Sequence, residues 1–159
     1  MKRIVILLIV VLIVSASLSA WELVQDKDSF GDPIKDSYHI ELNCVRISSG
    51  STPESVAVSF ETRRFGFYQS DYFMVRLKEE DGSLHDYGMR KTYTFKEKEA
   101  LEMLAIFRRN HEVKIYLWWD YGHGDSVNGV LSKTNEGLDD MLKALYEAAQ
   151  KREVSDAEH

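Results

Sequence analysis

Glu112-Val113-Lys114-Ile115-Tyr116-Leu117-Trp118-Trp119 is the stretch on which the fold turns. Val113, Ile115, Leu117 and Trp119 occupy every second position, with Glu112, Lys114, Tyr116 and Trp118 between them. A period of two sends successive side chains to opposite faces of a pleated strand, so this segment reads as a strand with an apolar inner face. The same pattern recurs upstream. Phe73, Val75 and Leu77 point inward from a strand over Phe73 to Lys78, which runs into Glu79-Glu80-Asp81-Gly82. Asp-Gly between alternating segments is a hairpin signal, so Ser83 to Tyr93 is predicted to return antiparallel. Val56, Val58 and Phe60 mark a further strand, and Tyr38, Ile40, Leu42 and Cys44 alternate with His39, Glu41 and Asn43 in another. Val45 and Ile47 break that parity, which a bulge near Cys44 or burial of both faces explains. Ser48 to Glu54, with Gly50 and Pro53, reads as the turn between these two strands.

Two segments carry helical periodicity. Thr94 with Glu97 three residues later makes a capping box, followed by Leu101, Leu104, Ala105 and Arg108 on one side of a helix ending near Asn110. Leu138, Met141, Leu142, Leu145, Tyr146 and Ala149 follow the i, i+3, i+4, i+7 rule, with Glu136, Asp139 and Asp140 near the start and Lys151-Arg152 at the end, as the helix dipole favours. Strands joined by short turns, with a mid-chain helix and a C-terminal amphipathic helix, predict a β-rich α+β fold: an antiparallel β-sandwich or curved sheet closed by the last helix.

The N-terminus has a separate logic. Lys2-Arg3, the apolar run Ile4 to Val14 and the small-residue segment Ser15 to Ala20 have the order of a secretory signal. Eleven apolar residues fall short of the roughly 20 that cross a bilayer. The expected organisation is a signal over residues 1–20, one domain over 21–151, and a frayed polar tail over 152–159, with cleavage between Ser17 and Trp21. No cysteine lies near that boundary to carry a lipid, so no membrane anchor is expected after cleavage. Without Lys2 and Arg3 there are 18 basic against 26 acidic residues, a net charge of −8 with histidine neutral. Such a chain repels nucleic-acid phosphates and anionic lipid unless its few cations cluster. Arg63-Arg64-Phe65-Gly66-Phe67-Tyr68 mixes cations with aromatics but in this setting reads as a turn centred on Gly66.

Chemistry-bearing residues concentrate in Trp118-Trp119-Asp120-Tyr121-Gly122-His123-Gly124-Asp125. Asp120, His123 and Asp125 are the candidate ligands for a divalent metal, because imidazole and carboxylate bind such ions and the flanking glycines let the loop fold back. Further ligands at diagnostic spacing are missing, so a connecting loop is the plainer reading. Tyr116 and Trp118 are the candidate ligand-binding aromatics, able to stack on a sugar or a peptide if their face is solvated. The stripe of the last helix needs an apolar surface, and it is expected to cover that face. There is no G-x-S-x-G, P-loop, H-E-x-x-H or C-x-x-C, so neither a catalytic residue nor a cofactor is assigned.

Trp21 followed by Asp28-x-Phe30-Gly31-Asp32-Pro33, with the step Gly137-Leu138 into a final amphipathic helix ending at Ala149, resembles small exported bacterial β-sandwich domains of unknown function. More loosely, the layout is similar to the accessory β-sandwich proteins of type VI secretion. The resemblance covers the two ends of the domain and implies a β-sandwich in a periplasmic or secreted setting. In physical terms Trp21 and Phe30 are expected to anchor the start of the domain, and Asp28, Gly31 and Asp32 to form a turn.

The expected function is therefore a non-catalytic binding or structural domain of the cell envelope whose partner is another envelope or secreted protein, with no nucleic acid bound. An envelope hydrolase or metal enzyme using Asp120, His123 and Asp125, and a carbohydrate-binding module using Tyr116 and Trp118, are the alternatives. The only cysteine, Cys44, is expected to be a small buried hydrophobe. In the native protein a thiol reagent should modify it slowly and in denaturant at once; equal rates would show an exposed thiol.

Overall fold

The computed structural model describes residues 20–50, 52–60, 72–120 and 125–157. Among these residues nine strands form two antiparallel sheets. β1 (Glu22–Lys27), β2 (Pro33–Leu42), β3 (Val45–Ser48), β4 (Ala57–Phe60) and β7 (Thr94–Lys96) make one, in that spatial order. The other is ordered β6-β5-β8-β9, from β6 (Leu84–Arg90), β5 (Tyr72–Lys78), β8 (Glu112–Asp120) and β9 (Asp125–Ser132). Helices α1 (Glu97–Arg109) and α2 (Leu138–Ala157) complete the sandwich-like α+β fold.

Alternation sets the packing. Val113, Ile115, Leu117 and Trp119 of β8 and Phe73, Val75 and Leu77 of β5 are buried, facing Ile40, Val45, Ile47, Val58 and Phe60 of the first sheet in one core. Phe60 joins the layers, with ring centroids 6.4 Å from Phe73 and 5.8 Å from Phe95. Such pairs add to the burial of the rings themselves.

The strand after Tyr38 ends earlier than its alternation suggests. A two-residue turn, Asn43-Cys44, joins β2 to β3 with Leu42 opposite Val45, and Asn43 adopts a φ of 52°. Asparagine tolerates that left-handed conformation, so the parity break is a hairpin and not a bulge. A bulge does occur in β6, where Tyr87 and Gly88 together face Val75 and Gly88 has a φ of 67°. Gly82 closes the expected β5–β6 hairpin at a φ of 92°.

The capping box is not used. Thr94 lies in β7 opposite Ser59, and the residue before α1 is Lys96, which makes no side-chain cap. The helix is also turned about its axis from the expected phase: Leu104 of the expected side is buried and Ala105 half-buried, but Leu101 and Arg108 are exposed and the buried face is completed by Ala100, Met103, Ile106 and Phe107. α2 buries Leu138, Leu142, Leu145 and Ala149 against β1 and β2 as its stripe requires. It passes the expected stop at residue 151 and continues as helix to Ala157, with Arg152 Nη1 donating to Ser37 Oγ at 3.3 Å.

At the start of the domain Trp21 is 2% exposed, its ring 5.7 Å from Phe107 and its Nε1 donating to Thr134 O at 2.7 Å. Phe30 is 90% exposed and anchors nothing. It sits on the expected turn, whose Asp28 Oδ1 accepts from the main-chain N–H groups of Phe30 and Asp32 at 2.8 and 3.0 Å. Phe60→Ala should therefore cost about 3–5 kcal/mol in urea unfolding, while Phe30→Ala should lie within about 0.5 kcal/mol of the wild type. Equal effects would contradict this assignment of core and tip.

Candidate functional site

The two helices pack elsewhere, α1 against β4, β7 and β8 and α2 against β1 and β2, so the last helix does not cover Tyr116 and Trp118. Its apolar stripe meets β2 instead. Both aromatics are half-buried on the outer face of the β6-β5-β8-β9 sheet.

Register arranges that face in rows across the strands. Leu84, Lys78, Lys114 and Val130 make one; Asp86, Arg76, Tyr116 and Asn128 the next; Met89, Met74, Trp118 and Ser126 a third. Leu84, Met89 and Val130 are exposed by 62%, 63% and 49%, a large apolar share for solvent-facing positions. Arg76 donates through Nε to Asp86 Oδ2 at 2.7 Å and lies 5.8 Å from the centroid of the Tyr116 ring. The Asp86 carboxyl is held below its usual range by the Gly88 main-chain N–H and then by Arg76. Lys78 and Lys114 stand directly opposite one another, and among the described residues neither is in an ion pair. Like charges in that position are unfavourable. Arg76, Lys78, Leu84, Lys114, Tyr116 and Val130 line a shallow depression of about 390 Å³.

Asp120 ends β8 opposite Tyr72, and Asp125 begins β9 opposite Trp119. The expected loop is the connection of the β8–β9 hairpin. His123 lies outside the described residues, as does the Arg63–Tyr68 segment. Among the described residues no three His, Cys, Asp or Glu side chains are grouped to hold a metal ion.

Two charge clusters arise from strand pairing and chain return, and no local motif announces either. In the first, Asp26 on β1 accepts from Ser37 Oγ at 2.8 Å and Arg46 Nη2 at 2.5 Å, and lies 2.7 Å from His39 Nδ1. Burial opposes ionisation of Asp26, but the hydrogen bonds from Ser37 and His39 and the Arg46 charge outweigh it and lower the carboxyl's pKa. Serine, histidine and aspartate are present, yet the hydroxyl is on the carboxylate and His39 Nε2 faces Glu41 Oε2 at 3.7 Å. A nucleophilic triad needs the hydroxyl on the imidazole, so this group ties β1 to β2 and β3.

In the second cluster the side chain of Glu79, 5% exposed, accepts from Arg109 Nε at 2.5 Å, from Arg109 Nη2, and from Asn110 Nδ2 at 2.6 Å, with His85 Nε2 at 2.6 Å. Next to it Glu80 Oε1 accepts from the N–H groups of His111 and Glu112 at 2.9 and 2.6 Å. The β5–β6 turn thus clamps the end of α1 to the start of β8. The Arg109 hydrogen bond dominates, and with Asn110 and His85 it overcomes burial to bring the Glu79 pKa down to about 2. Its surroundings are filled by these partners, which makes it a structural carboxylate and leaves the open sheet face as the candidate site.

No protein-family model matches the chain, and no curated protein or solved structure is significantly similar to it.

A carboxyl whose folded pKa is depressed adds stability that is complete above its ordinary value of 4.5 and is lost as the pH falls from there through about 2. Glu79→Gln should cost about 2–3 kcal/mol at pH 7 and flatten the stability profile over that acid window. A variant with the wild-type acid profile would show that another group sets it.

Proposed function

We propose that this chain is an exported, non-catalytic binding domain of the cell envelope that holds another envelope or secreted protein against the outer face of its β6-β5-β8-β9 sheet. The observation that carries this reading is the composition of that face: Leu84, Met89 and Val130 are exposed beside the half-buried Tyr116 and Trp118, and neither helix packs over them. Exposed apolar groups and aromatics interspersed with charged side chains suit a contact surface better than a solvated wall. The signal-like segment over residues 1–20 supports export, and among the described residues no helix is long and apolar enough to cross a membrane. The resemblance in the Trp21 to Pro33 opening supports the same setting.

A second reading, stacking of a neutral sugar, is favoured by the half-exposed Trp118 but weakened at Tyr116, where the Arg76 guanidinium lies beside the ring. Protein and sugar are separable by experiment. The purified domain should capture a reproducible envelope protein that rebinds it in pure form, and Trp118→Ala should weaken that binding by about tenfold or more, with no change in fold by circular dichroism. Unaltered affinity in the variant would remove the site, and binding only to glycan arrays would replace the partner.

A further inference from the structure

Among the described residues the proposed binding face has one border that is open for main-chain pairing. Among the described residues the two sheets have four edge strands: β1, β7, β6 and β9. Edge strands invite pairing with foreign chains, and proteins protect them with charges, bulges, proline or shortness. β1 carries Glu22, Asp26 and Lys27 and an irregular register after Gln25; β7 has three residues; β6 holds the bulge at Tyr87-Gly88 and the charged Asp86 and Arg90. β9 has none of these beyond its first residue. Ser126-Val127-Asn128-Gly129-Val130-Leu131-Ser132 contains no charge and no proline, and it pairs with β8 in unbroken register from Trp119↔Asp125 to Glu112↔Ser132. Among the described residues β8 is the element it packs against.

The charges beside that edge specify what could occupy it. Lys78 and Lys114 face each other without an ion pair among the described residues, in the row that ends at Val130 on β9. Arg76 lies in the row that ends at Asn128, its charge shared with Asp86. Neighbouring strands lie about 4.8 Å apart, so a strand added to β9 is about 10 Å from β8, within reach of a lysine on β8 and a glutamate on the newcomer lying across Val130. A carboxylate there relieves the repulsion between the two lysines. A sugar chain has no amide groups at the strand repeat, whereas an extended peptide has both the amides and the alternating side chains.

On the reading that this face binds a protein, we propose that the partner contributes an extended, acidic segment that adds as a strand to β9 and sets its outward carboxylates toward Lys114, in the row that Lys78 extends. The test uses the purified protein and fluorescent eight-residue peptides of alternating Glu and Val or Lys and Val, followed by binding titration and amide hydrogen exchange. The Glu-Val peptide should bind and slow exchange in β9, and salt should weaken it. The same peptide N-methylated at alternate residues, in the register that removes the pairing N–H groups, should lose binding. Lys78→Glu/Lys114→Glu should weaken the Glu-Val peptide by about tenfold or more and gain affinity for Lys-Val, a reversal that an unfolded variant cannot give. Equal binding of both peptides, or of the N-methylated peptide in both registers, would overturn the proposal. So would protection of β9 in a self-associated form without peptide, which would make a second copy the occupant. If neither peptide binds while a captured partner still depends on Trp118, strand addition fails and the binding face stands; if that dependence is missing too, both fall.

Discussion

The β6-β5-β8-β9 sheet can bury only one of its faces, and the rest of the molecule is arranged around that constraint. Val113, Ile115, Leu117 and Trp119 leave solvent together because they share a parity, and a slip of one residue against β5 would turn all four outward. Burial of a single valine, leucine or isoleucine side chain is worth about 1.5–3 kcal/mol, so the register has no near competitor. What is fixed inside is fixed outside as well. Lys114, Tyr116 and Trp118 are held in rows with their neighbours by the same pairing, on strands that are already in place.

Polar groups close the places where strands and helices meet. Glu79 holds the C-terminal end of α1 through Arg109 and Asn110, and Glu80 receives the first N–H groups of the chain entering β8. Asp26 performs a comparable task at the other sheet, bringing Ser37, His39 and Arg46 from β2 and β3 onto one carboxylate. Both groups draw on residues distant in sequence, and each carboxylate is surrounded by donors. The acidic composition of the chain thus serves packing in these places, while on the outer sheet face Lys78 and Lys114 are, among the described residues, left without an ion pair.

Legibility followed the density of local pattern. β8, the β5–β6 hairpin and α2 could be read because each repeats its period over several residues with little competition. β9 could not, since Asn128-Gly129 has the composition of a turn, although in the structure Gly129 is an ordinary strand position opposite Ile115. β1 and β7 were missed as well, the one a half-exposed strand with mixed residues, the other only three residues long. Thr94 and Glu97 have the spacing of a capping box, but threonine is equally at home in a strand, and pairing with Ser59 prevailed. In α1 the run from Ala100 to Phe107 is apolar nearly all round, which left its phase to tertiary packing. The candidate site was half legible: Tyr116 and Trp118 stood out as aromatics of outward parity, whereas the lysine pair and the open edge depend on which strands become neighbours.

Trp21 carries a consequence for how the chain reaches this state. Its indole N–H is bound by the carbonyl of Thr134, 113 residues further on, and Ala20 N donates to Glu136 O. A chain that emerges N-terminus first therefore holds one of its largest core side chains without a seat until almost all of the domain has been released. Closing so long a loop is entropically slow, and it leaves Trp21 to be seated late. The topology delays its own completion until nearly the whole domain is available to fold.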